Sequence, residues 1–149
     1  MRFIIIFTIY FLFIFPLHIT FADEFVMLKN SKVNVRYGPS FEYPIKYVYL
    51  KKNLPIKVID KKENFRRIID HKKNSGWIHI SQLKSSRSLI TISEKILFRK
   101  PTKYSKPIAK LDQGRLLKVI KCEAKWCNVR TNDYYGWIIK DNELWGSLD

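Results

Sequence analysis

The chain has two cysteines, Cys122 and Cys127, and its imidazoles beyond residue 22 are His71 and His79. Cys122 and Cys127 flank Glu123-Ala124-Lys125 at an expected hairpin turn, where their Cα atoms can approach disulfide distance. Three chemistries are open to such a pair: a structural disulfide, two reduced thiols, or part of a metal or redox site. The last would need His71 or His79 to complete a ligand set, and both lie in the other half of the chain. Neither histidine has a Cys or motif-context Ser in its own half to serve as nucleophile, and no phosphate-cradling glycine loop or zinc-protease helix is present. The expectation is therefore no catalytic residues, no metal, no cofactor and no enzyme. A second constellation is aromatic. Aromatics make up 15% of the sequence, and Tyr37, Tyr43, Phe65 and Trp77 are followed by Tyr104, Trp126, Tyr135 and Trp137 at matching places. Rigid rings in such an array can pack an extended peptide, with nearby lysines meeting its carboxylates. Trp77 and Trp137, each between Gly and Ile, also read as half-buried core residues of a closing strand. Arg36 and Arg99, at matched strand ends, are expected to tie down loop carbonyls.

The elements that must position these side chains emerge from an internal repeat. Lys32-Val33-Asn34-Val35-Arg36 recurs loosely as Lys95-Ile96-Leu97-Phe98-Arg99, and Tyr43-Pro44-Ile45 as Lys106-Pro107-Ile108. Leu54-Pro55-Ile56-Lys57-Val58-Ile59 recurs as Arg115-Leu116-Leu117-Lys118-Val119-Ile120, Phe65 as Trp126, Gly76-Trp77-Ile78 as Gly136-Trp137-Ile138, and Leu83 as Leu144. The offset stays at about 60 residues, which marks a duplicated unit. Alternating or β-branched runs separated by turn signals such as Gly38-Pro39-Ser40, Lys51-Lys52-Asn53 and Asp112-Gln113-Gly114 predict short strands, and no stretch after Ala22 sustains a helical period. Five or so strands in about 60 residues is the size of one small barrel, a fold that removes exposed sheet edges. The fold class is thus all-β: two tandem small barrels, residues 23–88 and 89–149, joined through the polar run 84–88. Phe65 and Ile68, like Trp126 and Val129, are three residues apart and so face opposite sides of a regular strand. Ile68 and Val129 go to the core, and Phe65 and Trp126 to an outer groove unless a bulge intervenes.

Residues 1–22 have another character. Arg2 precedes an almost unbroken apolar run over residues 3–15, Pro16 ends it, and Thr20 and Ala22 supply the small residues a signal peptidase requires. A signal-peptide helix cleaved after Ala22 and a periplasmic destination are expected; the alternative is a retained membrane anchor. No cysteine lies near the cleavage point, which excludes a lipoprotein. Export favours the disulfide among the three readings of Cys122 and Cys127.

With 28 Lys and Arg against 13 Asp and Glu the formal charge is +15, and removal of the leader, which holds Arg2 and no acid, leaves +14. Such a chain meets anionic surfaces: wall carboxylates, lipid phosphates or acidic partners outside the cytoplasm, with no nucleic acid expected. A general compositional drift toward Lys, Ile, Asn, Tyr and Phe accounts for the charge equally well.

Val33-Asn34-Val35-Arg36-Tyr37-Gly38-Pro39-Ser40 and Gly76-Trp77-Ile78 resemble the opening strand with its loop and the closing strand of the bacterial SH3-like (SH3b) family. The second repeat keeps Gly136-Trp137-Ile138 but has Arg99-Lys100-Pro101-Thr102 where the loop motif should stand. Cys122, Trp126, Cys127 and Leu144-Trp145-Gly146 look like those of an exported two-barrel subgroup. The resemblance, over residues 30–149, implies a non-catalytic module binding cell-wall (peptidoglycan) peptides or envelope protein segments. The alternative is an adaptor or stability factor in an envelope complex, touching membrane only through an uncleaved leader.

Overall fold

The computed structural model describes residues 24–132 and 134–147; the expected leader and its cleavage point lie outside them. Strand-forming runs and turn residues alternate throughout, and the first half forms β1 (Glu24–Leu28), β2 (Val33–Arg36), β3 (Ile45–Tyr49), β4 (Pro55–Lys62), β5 (Phe65–Ile69), β6 (Ser75–His79) and β7 (Leu83–Ser85), with a 3-10 turn at Ile80–Gln82. The second half repeats the series as β8 (Ser88–Thr91), β9 (Lys95–Phe98), β10 (Pro107–Leu111), β11 (Leu116–Glu123), β12 (Trp126–Thr131), β13 (Tyr134–Ile139) and β14 (Leu144–Trp145). Among the described residues these make two seven-stranded antiparallel sheets, ordered β3-β2-β6-β5-β4-β1-β7 and β10-β9-β13-β12-β11-β8-β14. The architecture is two tandem small β-barrels.

The period of two decides what enters each core. Val33 and Val35 of β2 point inward beside Leu28, Ile56, Ile68 and Ile78, while Asn34 stays exposed. In the second barrel Leu97, Leu117, Val129 and Ile138 do the same. Each such side chain, fully withdrawn from water, contributes about 1.5–3 kcal/mol. The long strands β4 and β11 carry irregularities at matched places, between Val58 and Asp60 and between Val119 and Lys121. Their hairpins to β5 and β12 turn through Glu63 and Ala124, both at positive φ. The bulges fall on β4 and β11, so β5 and β12 keep their alternation, and Phe65 and Trp126 face away from Ile68 and Val129.

The structure corrects the register of the repeat. Arg36 pairs across to Trp77, and Phe98 pairs across to Trp137, so Phe98 takes the place of Arg36. Lys95 takes the place of Val33, Leu97 that of Val35, and Arg99 that of Tyr37, whose backbone N–H reaches Pro44 as that of Arg99 reaches Lys106. The expected match of Val33 with Ile96 and Arg36 with Arg99 was therefore one residue out. Its cause is Lys95, which is only 8% exposed and occupies an inward position where an apolar residue is the normal signal. Its ammonium binds Asp141 at 2.6 Å and Glu143 at 2.5 Å.

The connection between the barrels is also tighter than a polar run at 84–88 suggests. Only Ser86 and Arg87 separate β7 from β8, and Ser88 is buried with its hydroxyl donating to the carbonyl of Asn53 at 2.7 Å. Ile90 belongs to the core cluster of the first barrel, against which Leu116 and Trp145 also pack. The halves share a packed interface.

Candidate functional site

The outer face of the first barrel is assembled by β2, β5 and β6. Alternation sends Gly76 and Ile78 inward and Ser75, Trp77 and His79 outward, and cross-strand pairing sets His79 beside Phe65 and Trp77 between Arg36 and Arg67. Trp77 is thus a half-buried residue of the outer face and not a core residue. Trp137, opposite Asn128 and Phe98, stands on the corresponding face of the second barrel. The glycine before each tryptophan lets two strands approach closely: a Cβ on Gly76 would lie 2.4 Å from Val35, and one on Gly136 would lie 2.7 Å from both Leu97 and the Phe98 carbonyl.

Over this face folds the loop of residues 37–44. The guanidinium of Arg36 donates to the carbonyls of Phe41 at 3.1 Å and Tyr43 at 2.7 Å, the role expected of it, while Tyr43 lies against Gly38, leaving no room there for a side chain. The result is a three-ring cluster. Phe41 and Phe65 are 5.2 Å apart between centroids, Phe41 and His79 5.0 Å, and Phe65 and His79 5.1 Å. Arg36 stands 5.4 Å over the Phe41 ring, a favourable cation–π placement. Phe65 is 6% exposed, covered by Phe41, which is itself 64% exposed. Lys32, Asn34, Arg36, Phe41, Phe65 and His79 line a groove of about 330 Å³. The Nδ1 atom of His79 accepts the Ser81 backbone N–H at 3.3 Å and lies 2.8 Å from the Ser81 hydroxyl, which fixes the ring and puts the proton of the neutral form on Nε2. Aromatic floor, fixed imidazole and cationic rim together can hold an extended segment bearing a carboxylate.

The second barrel builds the same place differently. Phe98 replaces Arg36 and meets Trp126 edge-on at 5.6 Å, and Ile139 pairs with Trp126 where His79 pairs with Phe65. Lys121 lies 5.4 Å from the Trp137 ring and Arg130 5.1 Å from that of Tyr135. This surface is more apolar, and its loop supplies no covering ring: Tyr104 is 99% exposed. Of the eight aromatics singled out in the sequence, Phe65 lies in the groove, Tyr37 and Tyr43 lie on its loop with Lys46 5.6 Å from the Tyr37 ring, and Trp77 lies on the same outer face. Trp126, Tyr135 and Trp137 form the second barrel's outer face, and Tyr104 joins neither. Phe41, His79 and Phe98 were missed; His79 could have been found two residues beyond Trp77 on one strand face, and Phe98 by the correct register. Arg99 sits at the loop position of Tyr37 rather than at a strand end.

Cys122 and Cys127 face each other across the β11–β12 ladder and form a disulfide. At the far end of the first barrel, the buried Asp70 accepts the backbone N–H groups of Lys72 and Asn74, each at 2.9 Å, and the hydroxyl of Tyr49 at 2.9 Å. Burial, with the neighbouring Tyr47 and Asp70, pushes the Tyr49 hydroxyl pKa far up, so Tyr49 serves there as a permanent donor. Burial holds His71 below the ordinary imidazole range.

No curated protein matches the chain. Among solved structures it is similar to NlpC2 from Trichomonas vaginalis, with 11% identity and a TM-score of 0.38 over 85% of this chain and 49% of that one. It is similar also to an NlpC/P60 family protein from Bacillus cereus, with 11% identity and a TM-score of 0.39 over 83% of this chain and 57% of that one. The chain spans about half the length of these structures. Sequence comparison with families is more specific: residues 29–85 and 93–146 each match the bacterial SH3 domain. The two matches coincide with the two barrels and cover most of the sequence, and the chain belongs to the bacterial SH3 domain family.

Proposed function

We propose that the protein is an exported, periplasmic, non-catalytic binding module that takes wall-derived peptides in the groove of its first barrel. The observation that carries this reading is the ring cluster of Phe41, Phe65 and His79 beside Arg36, Lys32 and Asn34. Aromatic packing suits an extended backbone, and the cations suit the free carboxylates that wall peptides carry. The leader read at residues 1–22 and the charge of +15 support a site of action among anionic envelope polymers.

Retention of the purified protein on isolated peptidoglycan, followed over a salt titration, tests it. Retention above that of an unrelated protein of equal charge is expected, falling on Phe41→Ala, a change at an exposed ring that leaves the barrel intact. Retention no stronger than the charge-matched protein, or unaltered by Phe41→Ala, overturns it. In that event the envelope adaptor becomes the better reading, and crosslinking in cells should then yield one dominant protein partner.

A further inference from the structure

A second concavity lies where residues of the two barrels meet. It is a cleft of about 800 Å³ lined by Lys51, Lys84, Arg87, Arg115, Lys118 and Arg130, with Asp112 as the one acidic lining residue among the described residues. Arg115 faces Asp112 at 3.9 Å; Lys51, Lys84, Arg87 and Lys118 have no carboxylate partner among the described residues. Six cations gathered with so little compensation repel one another, and an anion bound among them relieves the repulsion. Solvent and salt supply that relief diffusely; a polyanionic ligand supplies it at one place.

Two further features narrow the ligand. Met27 and Leu116, both half-buried, line the same cleft, so apolar side chains have somewhere to go between the charges. The cations come from both barrels, Lys51 and Lys84 from the first and Arg115, Lys118 and Arg130 from the second, with Arg87 in the link between them. A compact phosphate would use a few converging cations and none of the apolar wall. An extended chain with carboxylates and apolar side chains in alternation uses both. The walls are fixed before any ligand arrives: the hydroxyl of Ser88 donates to the backbone carbonyl of Asn53, and the hydroxyl of Thr91 donates to the backbone carbonyl of Asp112 at 2.7 Å and accepts the backbone N–H of Arg115 at 2.9 Å. Ordering cost on binding is correspondingly small.

We propose that the cleft between the barrels is a second binding site, taking an extended acidic segment of a partner protein. It shares no residue with the Phe41–Phe65–His79 groove and does not depend on the reading given there.

Fluorescence anisotropy with a dye-labelled peptide of alternating Glu and Leu tests it, with the Gln–Leu peptide, tripolyphosphate and phosphatidylglycerol vesicles as competitors. The acidic peptide should bind and the Gln–Leu peptide should fail to compete. A triple variant, Lys84→Gln with Arg87→Gln and Lys118→Gln, should bind about tenfold more weakly, whereas the charge-matched Lys100→Gln, Lys103→Gln, Lys106→Gln on a distant loop should lose less than about twofold. Arg87→Gln alone, at an exposed position that folding does not need, should show part of the loss, and Phe41→Ala none. Absence of peptide binding, equal loss in both triple variants, or displacement of the peptide by tripolyphosphate or vesicles at lower charge concentration than by unlabelled peptide overturns the proposal.

Discussion

The indole N–H of Trp145, in the last strand, donates to the carbonyl of Pro55 at 3.1 Å, across 90 residues of sequence and from one barrel to the other. The edge of Phe25 meets the same ring at 5.3 Å, and the Lys73 ammonium lies 5.4 Å from its centroid. With Ile90 and Leu116 packed on the first core, the two repeats are expected to unfold in one transition. Trp145→Ala should lower stability by about 2–3 kcal/mol, because the ring is half-buried rather than fully enclosed, and should separate the urea transitions followed by fluorescence and circular dichroism. Trp145→Phe, which removes little beyond the hydrogen bond, should cost about 1 kcal/mol.

Lys95 gives stability a dependence on pH. Burial opposes its charge, but hydrogen bonds to Asp141 and Glu143 outweigh burial and raise its pKa above the ordinary 10.5. The Lys95 hydrogen bond holds Glu143 below the ordinary 4.5. The glutamate contribution is therefore complete above pH 4.5 and lost as pH falls through the depressed value; that of the lysine is complete below pH 10.5 and lost as pH rises through the raised one. Lys95→Val, which restores the residue type of Val33, should change stability at neutral pH by no more than about 1 kcal/mol. Urea midpoints measured from neutral to acid pH should fall less steeply for the variant than for the parent.

Gly136→Ala tests the close approach of β13 to β9. The added methyl meets backbone at the Phe98 carbonyl, 2.7 Å away, which cannot swing aside as a side chain could. A loss of about 2 kcal/mol is expected in thermal or urea unfolding. Gly114→Ala is the informative contrast: nothing lies within 4 Å of the new methyl, but φ is +79°, so the cost is conformational and should be about 1 kcal/mol.

Reduction of Cys122–Cys127, or the double change to Ala, should lower stability by about 2 kcal/mol for so short a loop. The β11–β12 ladder has its own pairing from Lys118 to Glu123, so circular dichroism should keep its strand signature while the melting midpoint falls.

Much of this was legible in the residues. Val33 and Val35 alternate with polar neighbours and enter the core; Phe65 and Ile68, three apart, do face opposite ways. What misled was a charged residue in an apolar slot: with Lys95 matched to the exposed Lys32, Ile96 was set against Val33 and every match in that strand moved by one. The groove was half legible. Phe65 follows from strand periodicity, but Phe41 reaches it through an irregular loop pinned by Arg36 to two carbonyls, and no period describes such a path. The basic cleft was least legible, because its cations are scattered from Lys51 to Arg130 and only the packing of Ile90 and Trp145 gathers them.

The two-residue link of Ser86 and Arg87 bears on how the whole molecule would discriminate among ligands. Domains on a flexible tether sample many spacings, and a bivalent ligand of almost any length can find one that suits it, at the expense of chain entropy. Here the barrels are clamped, so a ligand engaging both would meet a single fixed gap, like the jaws of a set caliper. Length itself becomes a recognition element, and a bridging ligand too short or too long gains nothing from its second contact.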